Sequence, residues 1–266
     1  VQTISSVRTQ TYAPNAFAGK VVFITGAGRG MGKVAAEKFL ALGARVAITD
    51  LLENRVRAAV DEIAASGADV LGIAADVGKE SDVKKAVDAA VARFGRIDVL
   101  VNAAGSYGAA YRATHETPVD EWDSVFASNV RGTFLTAKHV VPHMMQSGGG
   151  RIINFASNAA RTLSPLLGCS YTAAKTAVLG ITRHLSREYA SHGILVNTIA
   201  PGPVDGERTN GLLGNKQGED ALLAQLPLGR LADPEEIVDV VLFLASDASR
   251  FMTGAIVDVS GGLILA

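Results

Sequence analysis

The sequence predicts an α/β fold built on a doubly wound parallel sheet, on three observations. Short runs rich in Val and Ile alternate with stretches of helical periodicity from Lys20 to the end. Most of the short runs are apolar on both faces, as strands covered from two sides are. Polar or glycine-bearing residues fall where those runs stop, the arrangement that gives a doubly wound sheet a ligand crevice along one edge. Of 266 residues, 48% are hydrophobic and 19% charged, enough apolar material for one large core and for an oligomer interface.

The first run, "KVVFITG", passes through "TGAGRGMG" into the helical "GKVAAEKFLAL". "ARVAITD" then leads to "ENRVRAAVDEIAAS", "ADVLGIAADV" to "SDVKKAVDAAVARF", and "IDVLVNAAG" closes the first half. In the second half "GRIINFAS", "ILVNTIAPG" and "AIVDVSGG" are strands, and "PEEIVDVVLFLAS" precedes the last of them as a helix. Apolar residues recur at three and four in the helical segments, which makes them amphipathic. Strand, helix, strand in unbroken succession implies right-handed crossovers and no second domain. Residues 1–19, rich in Ser, Thr and Gln, lack the apolar core of a secretory signal and are expected to form a flexible arm before a single domain over 20–266. The Gly-, Asn- and Asp-rich segment 203–227 is expected to be a mobile lid.

Composition narrows the partners. With 25 basic and 26 acidic residues in no long runs, no basic stripe exists to follow nucleic acid or an anionic membrane, and no apolar run is long enough to span a bilayer. Cys169 is the single cysteine, so no internal disulfide forms, and a reducing compartment such as the cytoplasm is expected. It reads as a small buried residue with no base partner. His139 and His143 have a spacing that can bind metal, but Pro142 intervenes and no glutamate lies between them, so no metal site is assigned. Trp122 reads as helix packing.

The glycines of "TGAGRGMG", Thr25 to Gly32, permit a tight turn in which backbone N–H groups approach a pyrophosphate at a helix N-terminus. By itself such a cluster is equally an ordinary strand-to-helix turn. Asp50 follows 18 residues after Gly32, at the end of the second strand, where a carboxylate can accept from a ribose diol or can simply lead the next helix. Asp76, Asn102 with Gly105, Ser157, and Pro201 with Gly202 end later strands, and in a parallel sheet all of these ends meet at one edge.

In this order and at these separations, "TGAGRGMG", "NAAG" (Asn102 to Gly105), Asn129 in "SNVRG", Ser157, Tyr171 and Lys175 in "YTAAK", and Pro201-Gly202 resemble the short-chain dehydrogenase/reductase family over roughly Lys20 to Gly262. The resemblance implies a Rossmann-type fold of seven parallel strands, a catalytic set of Asn129, Ser157, Tyr171 and Lys175, and a homotetramer or, less often, a dimer. It implies a nicotinamide cofactor held by Gly26, Arg29, Gly30, Met31, Gly32, Asp50, Leu51, Asp76, Val77, Asn102, Ala103, Gly105, Tyr171, Lys175, Pro201, Gly202 and Val204, and the Asp50 carboxylate, against which a 2′-phosphate would lie, favours NAD over NADP. The implied substrate is a small molecule, a secondary alcohol or its ketone, beside Ser106, Asn158 and Cys169. An NADPH-dependent reductase of 3-oxoacyl thioesters and a catalytically silent NAD-binding regulator are the alternatives.

Physical chemistry supports the Tyr-Lys pair. Residues four apart on a helix share a face, and at an effective dielectric of ~20 an ammonium ~4 Å from the phenol oxygen is worth about 4 kcal/mol, or about three pKa units. That brings a tyrosine toward the neutral range where a general base works best. Three departures from the family pattern stand out. Gly206 occupies a position where many relatives carry threonine, with Thr209 further on; Arg29 occurs in relatives that use a phosphorylated cofactor; and Asn158 stands thirteen residues before Tyr171, where the site serine is usual, with Ser157 one residue further away. Either the loop after Ser157 holds one extra residue, the reading favoured here, or the Asn158 amide replaces the hydroxyl.

Overall fold

The computed structural model describes residues 12–64, 67–164 and 166–264. Strands β1 (Val21–Thr25), β2 (Arg45–Asp50), β3 (Val70–Ala74) and β4 (Val99–Asn102) alternate with helices α1 (Gly30–Ala41), α2 (Glu53–Ala64) and α3 (Glu80–Phe94). Helices α4 (Val119–Phe126) and α5 (Gly132–Gln146) lead to β5 (Gly150–Phe155), and α6 (Cys169–Tyr189) to β6 (Ile194–Pro201). Short helices α7 (Glu207–Leu213) and α8 (Lys216–Leu223) precede α9 (Pro234–Ala245) and β7 (Ile256–Val259). Among the described residues the seven strands form one parallel sheet in the order β3-β2-β1-β4-β5-β6-β7, the doubly wound Rossmann-type architecture expected. The chain reverses direction across the sheet between β1 and β4, which opens a crevice at their carboxyl ends.

Alternate side chains of each strand enter opposite layers. Val22, Ile24, Val46 and Ile48 pack with α1, α2 and α9, while Val21, Phe23 and Ala47 pack with α3 and α5. These positions are sealed from water, so the two-sided apolar runs mark strands covered by helices on both faces. The start of α9 is fixed by a capping box between Asp233 and Glu236, with Pro234 in the first turn.

Two expectations change. Residues 1–11 of the arm lie outside the described residues, but Tyr12 to Gly19 belongs to the domain, because Phe17 is buried edge-on against Phe39 and Tyr12 packs on the same core. The proposed lid is not plain loop, since α7 and α8 lie within 203–227. No helix among the described residues is long and apolar enough to cross a membrane.

Candidate active site

At the carboxyl edge of the sheet the glycine turn holds the backbone close. Gly26 has φ +67°, and a Cβ there would stand 2.6 Å from the Ala104 Cα; one on Gly32 would stand 2.4 Å from the Gly26 carbonyl oxygen. Both positions therefore need glycine. Among the described residues no side chain caps the N-terminus of α1, which leaves its first N–H groups open to an anion. Asp50 is 8% exposed and accepts from the N–H groups of Gly28 at 3.2 Å and Leu52 at 3.3 Å, which ties the end of β2 to the glycine turn. Leu51 beside it is exposed. Sequence reasoning missed Arg55, one helical turn on, whose guanidinium lies 4.0 Å from Asp50. The other residues of this region divide by role. Asp76 shapes its own turn by accepting from the Gly78 N–H and pairs with Lys79, and Val77 packs beside Gly132.

The Asn102 side chain does not face the crevice. Its amide donates to Asn154 at 2.9 Å and its carbonyl accepts from Thr136 at 2.6 Å, both buried. Thr25, Asn102, Asn154 and Thr198 are register partners across four adjacent strands, and Asn154 donates onward to Thr182, which also bonds Thr198. This polar row holds β1, β4, β5, β6, α5 and α6 in fixed relation beneath the crevice. Direct cofactor contact by the Asn102 side chain is therefore corrected to a positioning role.

Above the row lies a cavity of about 290 Å³. Met31, Ala103, Gly105, Ser157, Asn158, Tyr171, Lys175, Pro201, Gly202 and Val204 line it, so residues that follow β4, β5 and β6 converge with the start of α1 and with α6, while Asp50 and Asp76 lie outside this lining. Ser106 and Cys169 do not line it. Ser106 bonds Ser128, and Cys169 is exposed at the first turn of α6, which overturns both its assignment to the substrate pocket and its expected burial.

Tyr171 and Lys175 are 7% and 5% exposed on one face of α6, with the Lys175 Nζ 5.7 Å from the Tyr171 ring centre. Lys175 donates to the Phe155 carbonyl at 2.8 Å. Burial, with a smaller contribution from the Arg208 guanidinium, pushes its ammonium down to about 7. Asn129 sits on a π-helical turn, Ala127–Arg131, where its amide donates to the carbonyls of Ser106 at 2.7 Å and Val125 at 2.8 Å. Its Oδ1 is buried without a partner among the described residues. A Cβ on Gly105 would stand 2.3 Å from that oxygen and 3.5 Å from the Lys175 Nζ, so both atoms flank the space that a glycine leaves open. Ser157, beyond the end of β5, donates to Asn158 Oδ1 at 3.0 Å and accepts from the Ala159 N–H.

The segment over the cavity also brings in Glu207 and Arg208, which the sequence did not single out. Arg29 of the glycine turn pairs with Glu207 of α7 at 2.8 Å, bridging the mouth. Arg208 stacks 4.2 Å from the Tyr107 ring and 5.4 Å from that of Tyr171. Thr209, at the position considered in place of Gly206, also lines the cavity.

The architecture and order of motifs recur in known proteins. A family model described as enoyl-(acyl carrier protein) reductase matches residues 26–264. An uncharacterized oxidoreductase of Thermotoga maritima is 40% identical over 92% of this chain and 98% of its own. The D-threitol dehydrogenase of Mycolicibacterium smegmatis is 38% identical over 92% of each chain. The crystal structure of levodione reductase superposes with a TM-score of 0.88 at 32% identity, covering 92% of this chain and 97% of that one.

Proposed function

The chain belongs to the short-chain dehydrogenase/reductase family, an oxidoreductase family that uses nicotinamide cofactors, and from that premise we propose that it is an NAD-dependent dehydrogenase of a secondary alcohol or its ketone. The observation that carries this reading is the pair of Tyr171 and Lys175 buried at the cavity wall, with Lys175 across the space beside Gly105 from the Asn129 oxygen, which has no partner among the described residues. The free N-terminus of α1, the close approach at Gly26 and the orphan acceptor at Asn129 fit a dinucleotide with its nicotinamide end in the cavity. Such a cofactor, when bound, supplies the hydride acceptor or donor.

The chain supplies the proton path. In alcohol oxidation the Tyr171 phenolate takes the hydroxyl proton, and in reduction the phenol returns it. Ser157 turns its hydroxyl from Asn158 to the substrate oxygen and stabilises charge developing there. Lys175 and the Asn129 oxygen hold a water between them that relays the proton away from Tyr171.

Asp50 directs the cofactor choice, because a 2′-phosphate would meet its carboxylate, which the Gly28 and Leu52 N–H groups hold in place. Arg55 gives the NADPH-dependent thioester reductase its specific support, since a guanidinium 4.0 Å from Asp50 is placed to receive a phosphate. Arg29 adds less, being engaged by Glu207. Comparing kcat/KM for NAD and NADP separates the two. The NAD reading expects preference for NAD and a smaller gap in Asp50→Ser; equal values for the wild-type protein would sink it.

A further inference from the structure

The cavity carries positive charge with no carboxylate to balance it. Of its described lining residues only Lys175 and Arg208 are basic and none is acidic. Lys175 is committed to a backbone carbonyl. Arg208 has its guanidinium against the faces of Tyr107 and Tyr171, and among the described residues no carboxylate pairs with it. Its neighbour on the chain, Glu207, is taken by Arg29. An arginine held by two aromatic faces keeps its N–H fork free, and that planar fork fits a carboxylate with two parallel hydrogen bonds.

The geometry points to a substrate that is a secondary alcohol or ketone carrying a carboxylate, with Arg208 binding the carboxylate while the alcohol carbon lies beside Tyr171. This rests on the dehydrogenase reading of the same site. Stacking on the Tyr171 ring sets the guanidinium beside the phenol in the same cavity, where Tyr107 and Leu212 pack with Tyr171. Anion binding there also lessens the repulsion by which Arg208 disfavours the charged form of Lys175, so substrate binding would favour the ammonium that the reaction uses. A neutral alcohol leaves both cations uncompensated.

The test sets short 2-, 3- and 4-hydroxy carboxylates against their methyl esters, with NAD, for wild-type protein, Arg208→Gln and Arg208→Lys. The expected result is a higher kcat/KM for at least one acid than for its ester, an acid-to-ester ratio that falls about 10- to 100-fold in Arg208→Gln, and partial recovery in Arg208→Lys. A preference for the esters, or a ratio unchanged by Arg208→Gln, overturns the inference. So does a loss confined to NAD affinity, which would assign Arg208 to the cofactor phosphates. If no alcohol is oxidised, calorimetric titration of the NADH-saturated protein with the matching keto acids decides it. Binding that weakens at least tenfold in Arg208→Gln upholds the carboxylate site while the dehydrogenase reading falls, and undetectable or equal binding overturns the inference.

Discussion

Among the described residues no carboxylate pairs with the Lys175 ammonium, which donates to the Phe155 carbonyl. The sequence argument for a depressed tyrosine assumed a standing charge on this lysine, whereas burial brings its titration to about 7, so at neutral pH the charge is conditional on what binds. The sign of the resulting pH dependence follows from linkage. Between about 7 and the ordinary lysine value of 10.5 the unfolded chain holds a proton that the folded chain has released, so stability from this group rises with pH across that window. Lys175→Met, which removes the buried amine, should therefore exceed wild-type stability most below pH about 7, and the gap should shrink toward 10.5 in denaturant titrations. A constant gap would contradict the assignment. The serine question belongs to the same scale. Ser157 and Asn158 both line the cavity and are bonded to each other, and Ser157 keeps the extended backbone of the strand with φ −167°. Ser157→Ala should lower kcat by about 10²-fold or more, as for loss of one donor to a developing oxyanion, with Asn158→Ala acting mainly on KM. The opposite ranking would make Asn158 the residue on the substrate oxygen.

The strands set the site, and the polar row across them is what keeps their ends in register. Asn102 was legible as a strand-end residue, but which way its side chain turned was not, because alternation reverses with a single step of register and the partner residues Asn154 and Thr198 lie far away in sequence. Replacing Asn154 by Leu would strand the Asn102 amide N–H in a buried layer, while the Thr182 hydroxyl would keep Thr198 and the Val178 carbonyl. An unmade buried hydrogen bond costs about 1–3 kcal/mol, so the variant should lose stability in that range, read as a lower midpoint in urea with an unchanged slope. A loss under about 0.5 kcal/mol would mean that the row does not support the site. Helices α7 and α8 escaped the sequence reading for a different reason. Gly206, Gly211, Gly214 and Gly218 dilute the helical pattern there, and with the helices unseen nothing marked Arg208 as facing the cavity. Cys169 was misplaced because closeness to Tyr171 in sequence is not closeness on a helix, where residues two apart point to different sides.

For the molecule as a whole, the two-sided apolar runs, the helical periods between them and the glycine turn foretold the seven-stranded sheet and the edge at which the site lies. They said little about the roof of the cavity, since contacts such as Arg29 with Glu207 join segments 178 residues apart and depend on the completed fold. The proposed function requires that Ser157, Tyr171 and Lys175 on this cavity, with Asn129 Oδ1 beside Gly105, serve hydride transfer and not mere dinucleotide binding. The direct test follows absorbance of reduced cofactor while purified protein and its Tyr171→Phe variant meet NAD and a panel of secondary alcohols that includes hydroxy carboxylates, with NAD affinity measured in parallel. The expected result is turnover of at least one alcohol by the wild-type protein and its loss in Tyr171→Phe at nearly unchanged NAD affinity. Tight NAD binding with no turnover of any alcohol or ketone, or undiminished turnover in Tyr171→Phe, would contradict it.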